Sequence, residues 1–441
     1  MDAKILLENS FPQLVEKLQK TISFNTEKGK PADFAPFGKN VADCLHYVLE
    51  LCREYGLETY DCDGYAGHAD FKGSGDEVLG ILGHLDVVPS KAEEWKYPPY
   101  GGVVADGKLY GRGAMDDKGP MIACLFAVKA LKDSGFKPKK TIRLIFGCDE
   151  ESGMQCVAHY FSKMPYPDVA FSPDGDFPVI NVEKGIISFD IVCGKLPQGV
   201  TITAGERCNV VPSLCVAELP LDAKVRGGFS LCEKEGKKVI TATGKSAHGS
   251  TPQEGVNAAH KVIAALHDAY PQNEALAFLA QKVCDFTGKN WGIALHDEIS
   301  GDLTCNLGIL RTAQDGTVTA TVDVRFPASY KCDRVLRLIR ENTPTTMKVM
   351  SDHASEPLYV PADSKLVATL MEVYNEKMNC DLKPLAIGGG TYSRCLPNCV
   401  AFGPLFPGEE QTIHMPNECA DLENLKLMAE LYLEAIKRLA T

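Results

Sequence analysis

The chain has 441 residues, about two to three times the usual 100–200 residues of one domain, so we expect at least two compact units. Its 45% hydrophobic and 24% charged residues are typical of a globular protein, and no apolar run approaches the roughly 18 residues of a membrane helix. A net charge of -12 disfavours the clustered positive charge that nucleic-acid surfaces need. We therefore expect neither nucleic acid nor membrane as a partner.

The N-terminus and the cysteines both indicate a cytoplasmic location. Residues 1–9 lack the basic start and the apolar stretch of a secretory signal. The 17 cysteines are scattered from Cys44 to Cys419 without a C-x-x-C pair. A disulfide framework would suit a small secreted chain, so the sequence predicts reduced thiols packed as small apolar side chains, with zinc-cysteine or redox roles as the alternatives.

From residue 78 onward, short apolar runs alternate with longer helical patterns, as in an α/β domain with a mostly parallel sheet. The predicted strands are 78–82, 141–146 and 168–172, and the helical patterns between them are 121–131 and 155–162. Each of these strands ends just before a cluster of polar residues.

Near residue 185 the pattern changes to alternating apolar and polar residues, which predicts antiparallel strands with one solvated face. Such strands are expected at 186–192, 238–244 and 317–325, with helices at 255–269 and 333–341. This texture predicts a second, α+β domain.

The end of the chain returns to the first pattern, with a helix at 367–378, strands at 385–387 and 400–403, and a last helix at 421–440. We therefore predict a discontinuous α/β domain with a mixed, mostly parallel sheet flanked by helices. Its residues are 1–184 and 357–441, and the inserted α+β domain with an antiparallel sheet covers residues 185–356.

The inserted domain contains a weak internal similarity. Residues 205–212 and 304–310 each place an Asn before an apolar turn that is followed by a strand. The matching positions are few, so the sequence leaves open whether the domain contains a duplication.

The strongest local motif is GHLDVVP at residues 83–89, which places His84 and Asp86 two residues apart after a predicted strand. In open α/β sheets, ligands bind beyond the ends of the strands. A ligating His usually donates its other N–H to a carboxylate or a carbonyl. On this motif alone, a ligand site and a surface turn fit equally well.

Carboxylates in three further loops favour a cation. Asp116, Glu150, Glu151 and Asp174 follow one another on the same expected edge, and so many anions would repel each other without positive charge. Oxygen and imidazole ligands without thiolates suit zinc, manganese or cobalt, and two ions sharing one carboxylate would neutralise more charge than one. In the Glu pair, one side chain could bind metal while its neighbour takes a proton from water, although each loop taken singly also fits a solvated acidic turn.

Together these motifs resemble a known family of dinuclear zinc metallopeptidases. It includes aminoacylase, carnosinase, succinyl-diaminopimelate desuccinylase and the bacterial dipeptidase PepV. The resemblance spans nearly the whole chain in the same order, through GHLDVVP at 83–89, GRGAMDDKG at 111–119, DEESG at 149–153, SPDG at 172–175 and HMPNE at 414–418.

The resemblance implies specific roles for these residues. His84 and Asp174 would bind one metal ion, Glu151 and His414 the other, and Asp116, often followed by a cis peptide bond in this family, would bridge them. Glu150 would be the general base, and Asp86 would orient His84. Without the resemblance, His414 would be interpreted as an ordinary loop histidine.

The inserted domain would then be a lid over a catalytic domain. In GKSAHGSTP, at residues 244–252, His248 would donate to the oxyanion of the tetrahedral intermediate. Asn209 and Arg325, with backbone N–H groups near Gly389 and Gly390, would bind the terminal carboxylate of the substrate. The plainer alternatives are a structural His, a strand-end salt bridge and a flexible glycine turn.

Within the family, the order of the motifs favours a PepV-like bacterial dipeptidase. The NVVP motif at residues 209–212 precedes His248, and the long lid would permit a monomer. We therefore expect hydrolysis of unblocked dipeptides by metal-activated water, with two divalent ions per chain. Zinc is expected, with manganese and cobalt as alternatives. An N-acyl-amino-acid deacylase, of the succinyl-diaminopimelate desuccinylase or acetylornithine deacetylase type, is the competing enzyme hypothesis, and a metal-dependent binding protein is the non-enzyme one.

Overall fold

The structure is a computed structural model that describes residues 1–350 and 353–441. The chain divides into two compact units. Unit 1 comprises Met1–Asn181, Val360–Leu385 and Thr391–Thr441, and unit 2 comprises Val182–Tyr359 and Ala386–Gly390. Among the described residues, no helix is long and apolar enough to cross a membrane. The assignment of the two units as catalytic and lid domains stays a prediction.

The α-helices within the described ranges are α1 (Ala3–Ile22), α2 (Lys39–Glu54), α3 (Lys118–Asp133), α4 (Gln155–Lys163), α5 (Ala258–Ala269), α6 (Glu274–Phe278), α7 (Cys332–Glu341), α8 (Lys365–Met378) and α9 (Leu422–Leu439). The strands are β1 (Glu58–Cys62), β2 (Ala66–Phe71), β3 (Val78–His84), β4 (Val103–Ala105), β5 (Lys108–Tyr110), β6 (Thr141–Gly147), β7 (Val169–Ser172), β8 (Ile180–Glu183), β9 (Gly185–Lys195), β10 (Thr201–Ala204), β11 (Leu214–Leu219), β12 (Ser230–Lys234), β13 (Lys237–Thr243), β14 (His296–Asp297), β15 (Gly301–Asp302), β16 (Thr304–Thr312), β17 (Thr317–Phe326), β18 (Lys348–Ser355), β19 (Leu358–Tyr359), β20 (Leu385–Ile387), β21 (Cys399–Ala401) and β22 (Cys419–Asp421).

The main sheet of unit 1 is mixed, as predicted, and its central strands β6, β3, β7 and β21 run parallel in that order. These strands are apolar almost without interruption because they are buried on both faces. Helix α3 packs against β3 and β6 and also against α1 and α9. The β1–β2 hairpin, which the sequence did not predict, adds two antiparallel strands beside β6.

Unit 2 contains an antiparallel sheet in the order β12-β13-β11-β10-β16-β17-β9-β18. The predicted alternation appears directly in β9, where buried residues alternate with partly buried ones from Gly185 to Gly194. In the core of this unit, the buried positions of the sheet pack against three helices. Helix α5 contacts β10, β11 and β13, and helices α6 and α7 contact β9. The inserted domain is therefore α+β, as predicted.

One local prediction in unit 2 is wrong. The apolar turn expected at residues 304–310 is part of strand β16, which pairs with β17 and has a bulge between Leu307 and Ile309. Cys305, Leu307 and Leu310 are buried in the core, so their burial favours continued pairing over a turn. The similarity to residues 205–212 therefore does not extend to local structure.

Candidate metal centre

Three parallel strands of unit 1 end at one edge of the sheet and carry the predicted ligands there. β3 ends at His84, which is paired in register with Gly147 at the end of β6. Glu150 and Glu151 follow β6, and Asp174 follows β7. Because parallel strands point their carboxyl ends the same way, these side chains converge.

The predicted bridging residue lies between two histidines. Asp116 Oδ1 is 2.9 Å from Nε2 of His84, and Asp116 Oδ2 is 2.8 Å from Nε2 of His414. The same nitrogen of His414 is 3.0 Å from Oε1 of Glu151, and Nε2 of His84 is 4.0 Å from Oδ2 of Asp174. The peptide bond between Asp116 and Asp117 is cis.

These side chains form two triads that share one carboxylate. The ligand atoms of His84, Asp116 and Asp174 all lie within 4.8 Å of one another, and those of Asp116, Glu151 and His414 do so as well. Two imidazoles and three carboxylates, without a thiolate, are a donor set that zinc, manganese and cobalt accept. The residues present therefore fit divalent metal ions, and Asp116 belongs to both triads.

The electrostatics of the cluster also favour added positive charge. Burial, reinforced by Asp116, raises the pKa of Asp174 to about 7. Burial and the neighbouring Asp174 raise the pKa of Glu150 well above its ordinary value. Burial opposes the charged form of His414, but its hydrogen bonds to Asp116 and Glu151 raise its pKa to about 10. A cation at this site would replace the protons that otherwise offset the carboxylates.

Asp86 contacts both the first histidine and the glutamate pair. Nδ1 of His84 lies 2.9 Å from the backbone oxygen of Asp86, which fixes the ring with Nε2 toward Asp116. The carboxylate of Asp86 accepts the backbone N–H groups of Glu150 and Glu151, each at 3.1 Å. The family resemblance implied only that Asp86 orients His84. In the structure, Asp86 also fixes the backbone of Glu150 and Glu151.

Glu418 is a site residue that the sequence reasoning missed. Its fully buried carboxylate accepts from Nη1 of Arg112 at 2.7 Å and from the backbone N–H groups of Gly113, Met115 and Asp116 at 2.9–3.2 Å. It thereby holds the loop that carries Asp116. Glu418 belongs to the HMPNE motif of His414, and its place four residues after that histidine was the available signal.

Asp117 supports His84 from the other side. The Asp117 carboxylate is fully buried, and its Oδ2 accepts the backbone N–H of His84 at 3.2 Å. Gly83 leaves room for it, because a Cβ at that position would lie 2.1 Å from the same oxygen. The glycine of the GHLDVVP motif is thus explained by close packing.

The remaining predicted residues, Asn209, His248, Arg325, Gly389 and Gly390, belong to unit 2. The Asn209 and His248 segments are neighbours, because the backbone oxygen of Asn209 accepts the N–H of Gly249 at 2.7 Å. Arg325 is buried, and its Nε donates to Asp323 at 2.8 Å while its Nη1 donates to the backbone oxygen of Gly388 at 3.1 Å. Unit 2 therefore places Asn209 beside the His248 loop, and Arg325 beside the loop that contains Gly389 and Gly390.

The comparisons with known proteins identify the family. Residues 80–438 match peptidase family M20/M25/M40, so the chain belongs to this family of metal-dependent peptidases. It is therefore a hydrolytic enzyme of the peptide-hydrolase class.

Individual relatives agree with this class. The chain is 34% identical over 429 residues to the Bacillus subtilis protein named "Putative dipeptidase YtjP", with 92% of each chain covered. It resembles the crystal structure of aminopeptidase PepT from Bacillus cereus, with a TM-score of 0.61, 16% identity and coverage of 98% and 99%. It also resembles the dipeptidase Dug1p from Saccharomyces cerevisiae, with a TM-score of 0.59, 13% identity and coverage of 99% and 98%. At these identities, the two structures show a shared fold.

Proposed function

We propose that this protein is a dipeptidase that hydrolyses unblocked dipeptides with the help of two divalent metal ions. The observation that carries the proposal is the pair of triads sharing Asp116. The names of its curated relatives support the choice of dipeptides as the substrate class.

In this proposal, His84 and Asp174 would hold one ion, Glu151 and His414 would hold the other, and Asp116 would be shared by both. When bound, the ions would polarise the scissile carbonyl and lower the pKa of a water molecule. Zinc is the expected metal, and manganese and cobalt suit the same donors.

Glu150 is the proposed general base. Its backbone is held by Asp86, and burial together with Asp174 raises its pKa, which suits a carboxylate that must accept a proton and release it again. It would take a proton from the attacking water and give it to the leaving amine nitrogen as the peptide C–N bond breaks.

His248 is the proposed oxyanion donor. Its Nδ1 accepts the backbone N–H of Ser250 at 3.2 Å and lies 2.7 Å from the Ser250 hydroxyl oxygen; with both groups donating to Nδ1, the proton of the neutral ring lies on Nε2. Burial and Arg325 lower the pKa of His248, which favours this neutral form. Its Nε2–H is thus available as a hydrogen-bond donor.

Asn209 and Arg325 are the proposed partners of the substrate's terminal carboxylate, together with backbone N–H groups at Gly389 and Gly390. Asp323 and Gly388 hold the guanidinium of Arg325 through Nε and Nη1, which fixes its plane. A fixed guanidinium suits a planar anionic group such as a carboxylate. We further propose a cytoplasmic monomer, in line with the length of the inserted unit.

The test is a substrate panel on one enzyme preparation. The protein is stripped with a chelator and reloaded separately with zinc, manganese or cobalt, and its metal content is measured by mass spectrometry. It is then assayed on Ala-, Gly-, Leu- and Asp-containing dipeptides beside N-acetyl and N-succinyl amino acids. We expect two ions per chain, no turnover after stripping, and hydrolysis of the free dipeptides.

Two outcomes would contradict the proposal. Turnover of the N-acyl amino acids without the dipeptides would indicate a deacylase. Tight association of peptides without turnover, with all three metals, would indicate a binding protein.

A further inference from the structure

One buried amide in unit 2 holds the backbone on both sides of Asn209. Asn306, on β16, is only 1% exposed, and its Nδ2 donates to the backbone oxygen of Cys208 at 2.8 Å and to that of Val210 at 3.2 Å. These two carbonyls flank Asn209. A single side chain therefore fixes the turn from which Asn209 projects.

The same turn is joined to the His248 loop. The N–H of Gly249 donates to the oxygen of Asn209 at 2.7 Å, and the N–H of Val211 donates to the oxygen of Ala247 at 2.9 Å. Val210 and His248 form an isolated antiparallel bridge between these bonds. A shift of the turn would therefore be transmitted to His248 as well.

Strand β16 passes close to the turn around Asn209. Gly308, at the bulge of β16, lies so close to the turn that a Cβ there would be 2.1 Å from the oxygen of Cys208. This close approach brings the Asn306 amide within reach of both carbonyls. The glycine and the amide form one contact surface for the turn.

The hydrogen bonds of Asn306 to the turn come from its two N–H donors. Its Oδ1 is buried and has no hydrogen-bond partner among the described residues, and Asn306 lines a cavity of about 130 Å³ with Cys305 and His260. The two N–H donors are therefore the useful part of this residue.

We propose that Asn306 is a positioning residue that sets the geometry of Asn209 and His248 for substrate binding. The inference rests on the proposed function of those two residues. Position 306 requires the N–H donors of an amide. A carboxylate there would place its oxygens against the carbonyl oxygens of Cys208 and Val210, which repel it.

The test is a double-mutant cycle that combines Asn306→Asp with Asn209→Ala. Leucylglycine and leucylglycine amide are the substrates, since the amide lacks the terminal carboxylate. In the otherwise wild-type chain, we expect Asn306→Asp to raise KM for leucylglycine about tenfold, the scale of one lost buried hydrogen bond. In the Asn209→Ala background, the same change should alter KM by less than about twofold, because the two residues act together.

The amide substrate separates positioning from general damage. KM for leucylglycine amide should not respond to Asn306→Asp, while kcat should fall for both substrates because His248 is displaced. Asn257→Asp is the matched control. Asn257 also donates through Nδ2 to a backbone oxygen of β16, that of Leu307 at 2.9 Å, and its Oδ1 accepts the N–H of Ala259, so these side-chain hydrogen bonds do not go to the turn. This control should leave KM for leucylglycine unchanged.

Independent effects of the two substitutions on KM, or an equal rise in KM with Asn257→Asp, would overturn the proposal. If the Asn306→Asp variant does not fold, Asn306→Leu takes its place in the double-mutant cycle. This substitution removes the same two N–H donors without adding a charge. If the wild-type enzyme hydrolyses no dipeptide, the proposed function fails by itself. Hydrogen exchange of the backbone amides of residues 207–211 then still tests whether Asn306 holds the turn. Unchanged exchange in Asn306→Asp would overturn the positioning role.

Discussion

Glu150 and Glu151 are adjacent in the chain but have different surroundings. Glu151 contacts His414, whereas the pKa of Glu150 is raised mainly by burial and then by Asp174. We expect Glu150→Gln to lower kcat by about 10²–10⁴-fold, the usual contribution of a general base, because the amide cannot accept the proton. Its metal content should be unchanged. Steady-state kinetics and metal analysis on the same sample measure both.

Glu151→Gln is the matched comparison for this prediction. It changes the neighbouring carboxylate in the same way, but it weakens a proposed metal ligand, so we expect metal to be lost along with activity. Turnover retained by Glu150→Gln, or metal lost from it, would assign the two glutamates differently.

Glu418 gives a second prediction for a single residue. Because its carboxylate holds the backbone N–H of Asp116, we expect Glu418→Gln to weaken metal binding by about 10–100-fold, as for other partners of metal ligands. Titration against a competing chelator measures the affinity. Asp70→Asn is the control, since Asp70 is also buried, its two carboxylate oxygens accept from Arg143, and it belongs to neither triad.

Both substitutions break a buried ion pair, and we expect each to lower the free energy of unfolding. Only Glu418→Gln should change the metal affinity. An equal change in Asp70→Asn would show that general destabilisation, rather than the position of Asp116, controls the site.

At the level of elements, strand β2 carries a buried histidine that makes the stability of unit 1 depend on pH. His68 is 5% exposed, its Nδ1 contacts the Tyr160 hydroxyl at 2.7 Å, and burial followed by Arg143 lowers its pKa to about 4. Between pH 6.5 and 4 the unfolded state therefore binds the proton and the folded state does not. Stability is present above this range and is lost as the pH falls through it.

We expect this histidine to reduce the free energy of unfolding by about 2 kcal/mol between pH 7 and pH 5. His68→Gln should show a correspondingly smaller loss over the same interval. Urea unfolding followed by Trp95 fluorescence in a Trp291→Phe background measures it in unit 1, since Trp95 and Trp291 are the two tryptophans and lie in different units. The same pH dependence with and without His68 would contradict the prediction.

The elements also show what the sequence could and could not predict. The buried strands β3, β6 and β7 were predicted because parallel strands buried on both faces are apolar without interruption. Strand β1 was missed because Glu58 and its neighbours form a largely solvent-facing edge strand with little apolar signal. The turn predicted at residues 304–310 was wrong because a local apolar pattern does not show that both sides of β16 are paired.

The site shows the same limit at the residue level. The loop motifs and the family resemblance were enough to name every member of the two triads, and the structure brings those side chains together. Glu418 was missed because its carboxylate acts through Arg112, 306 residues away, and the only signal in the sequence was its place in the HMPNE motif. The roles of the triad residues in catalysis stay predictions.

At the level of the whole molecule, unit 1 should be separable from the insert. The N–H of Val360 donates to the oxygen of Asn181 at 2.9 Å, and Nδ2 of Asn181 donates to the oxygen of Val360 at 2.7 Å. Because Glu183 of β8 and Leu358 of β19 are also paired, a linker of about four residues, within the usual range for a tight connection, could replace residues 184–357 and keep both strands of the main sheet. We expect this shortened protein to fold and to bind the same number of metal ions as the full chain.

We expect the shortened protein to hydrolyse no dipeptide, because it lacks Asn209, His248 and Arg325. Circular dichroism, metal analysis and the leucylglycine assay measure the three properties. Retained hydrolysis would show that these residues are not needed for catalysis, and loss of folding would show that unit 1 depends on the insert.

Strand β21 has a consequence for how the protein is made. It lies inside the main sheet, between β7 and β8, although it is formed by Cys399–Ala401 near the end of the chain. During synthesis, residues 182–359 leave the ribosome earlier and can fold first, since domains fold as units. The sheet then closes around β21, and His414 follows it. The nascent chain can thus complete the two proposed triads only after residues 182–359 have been made.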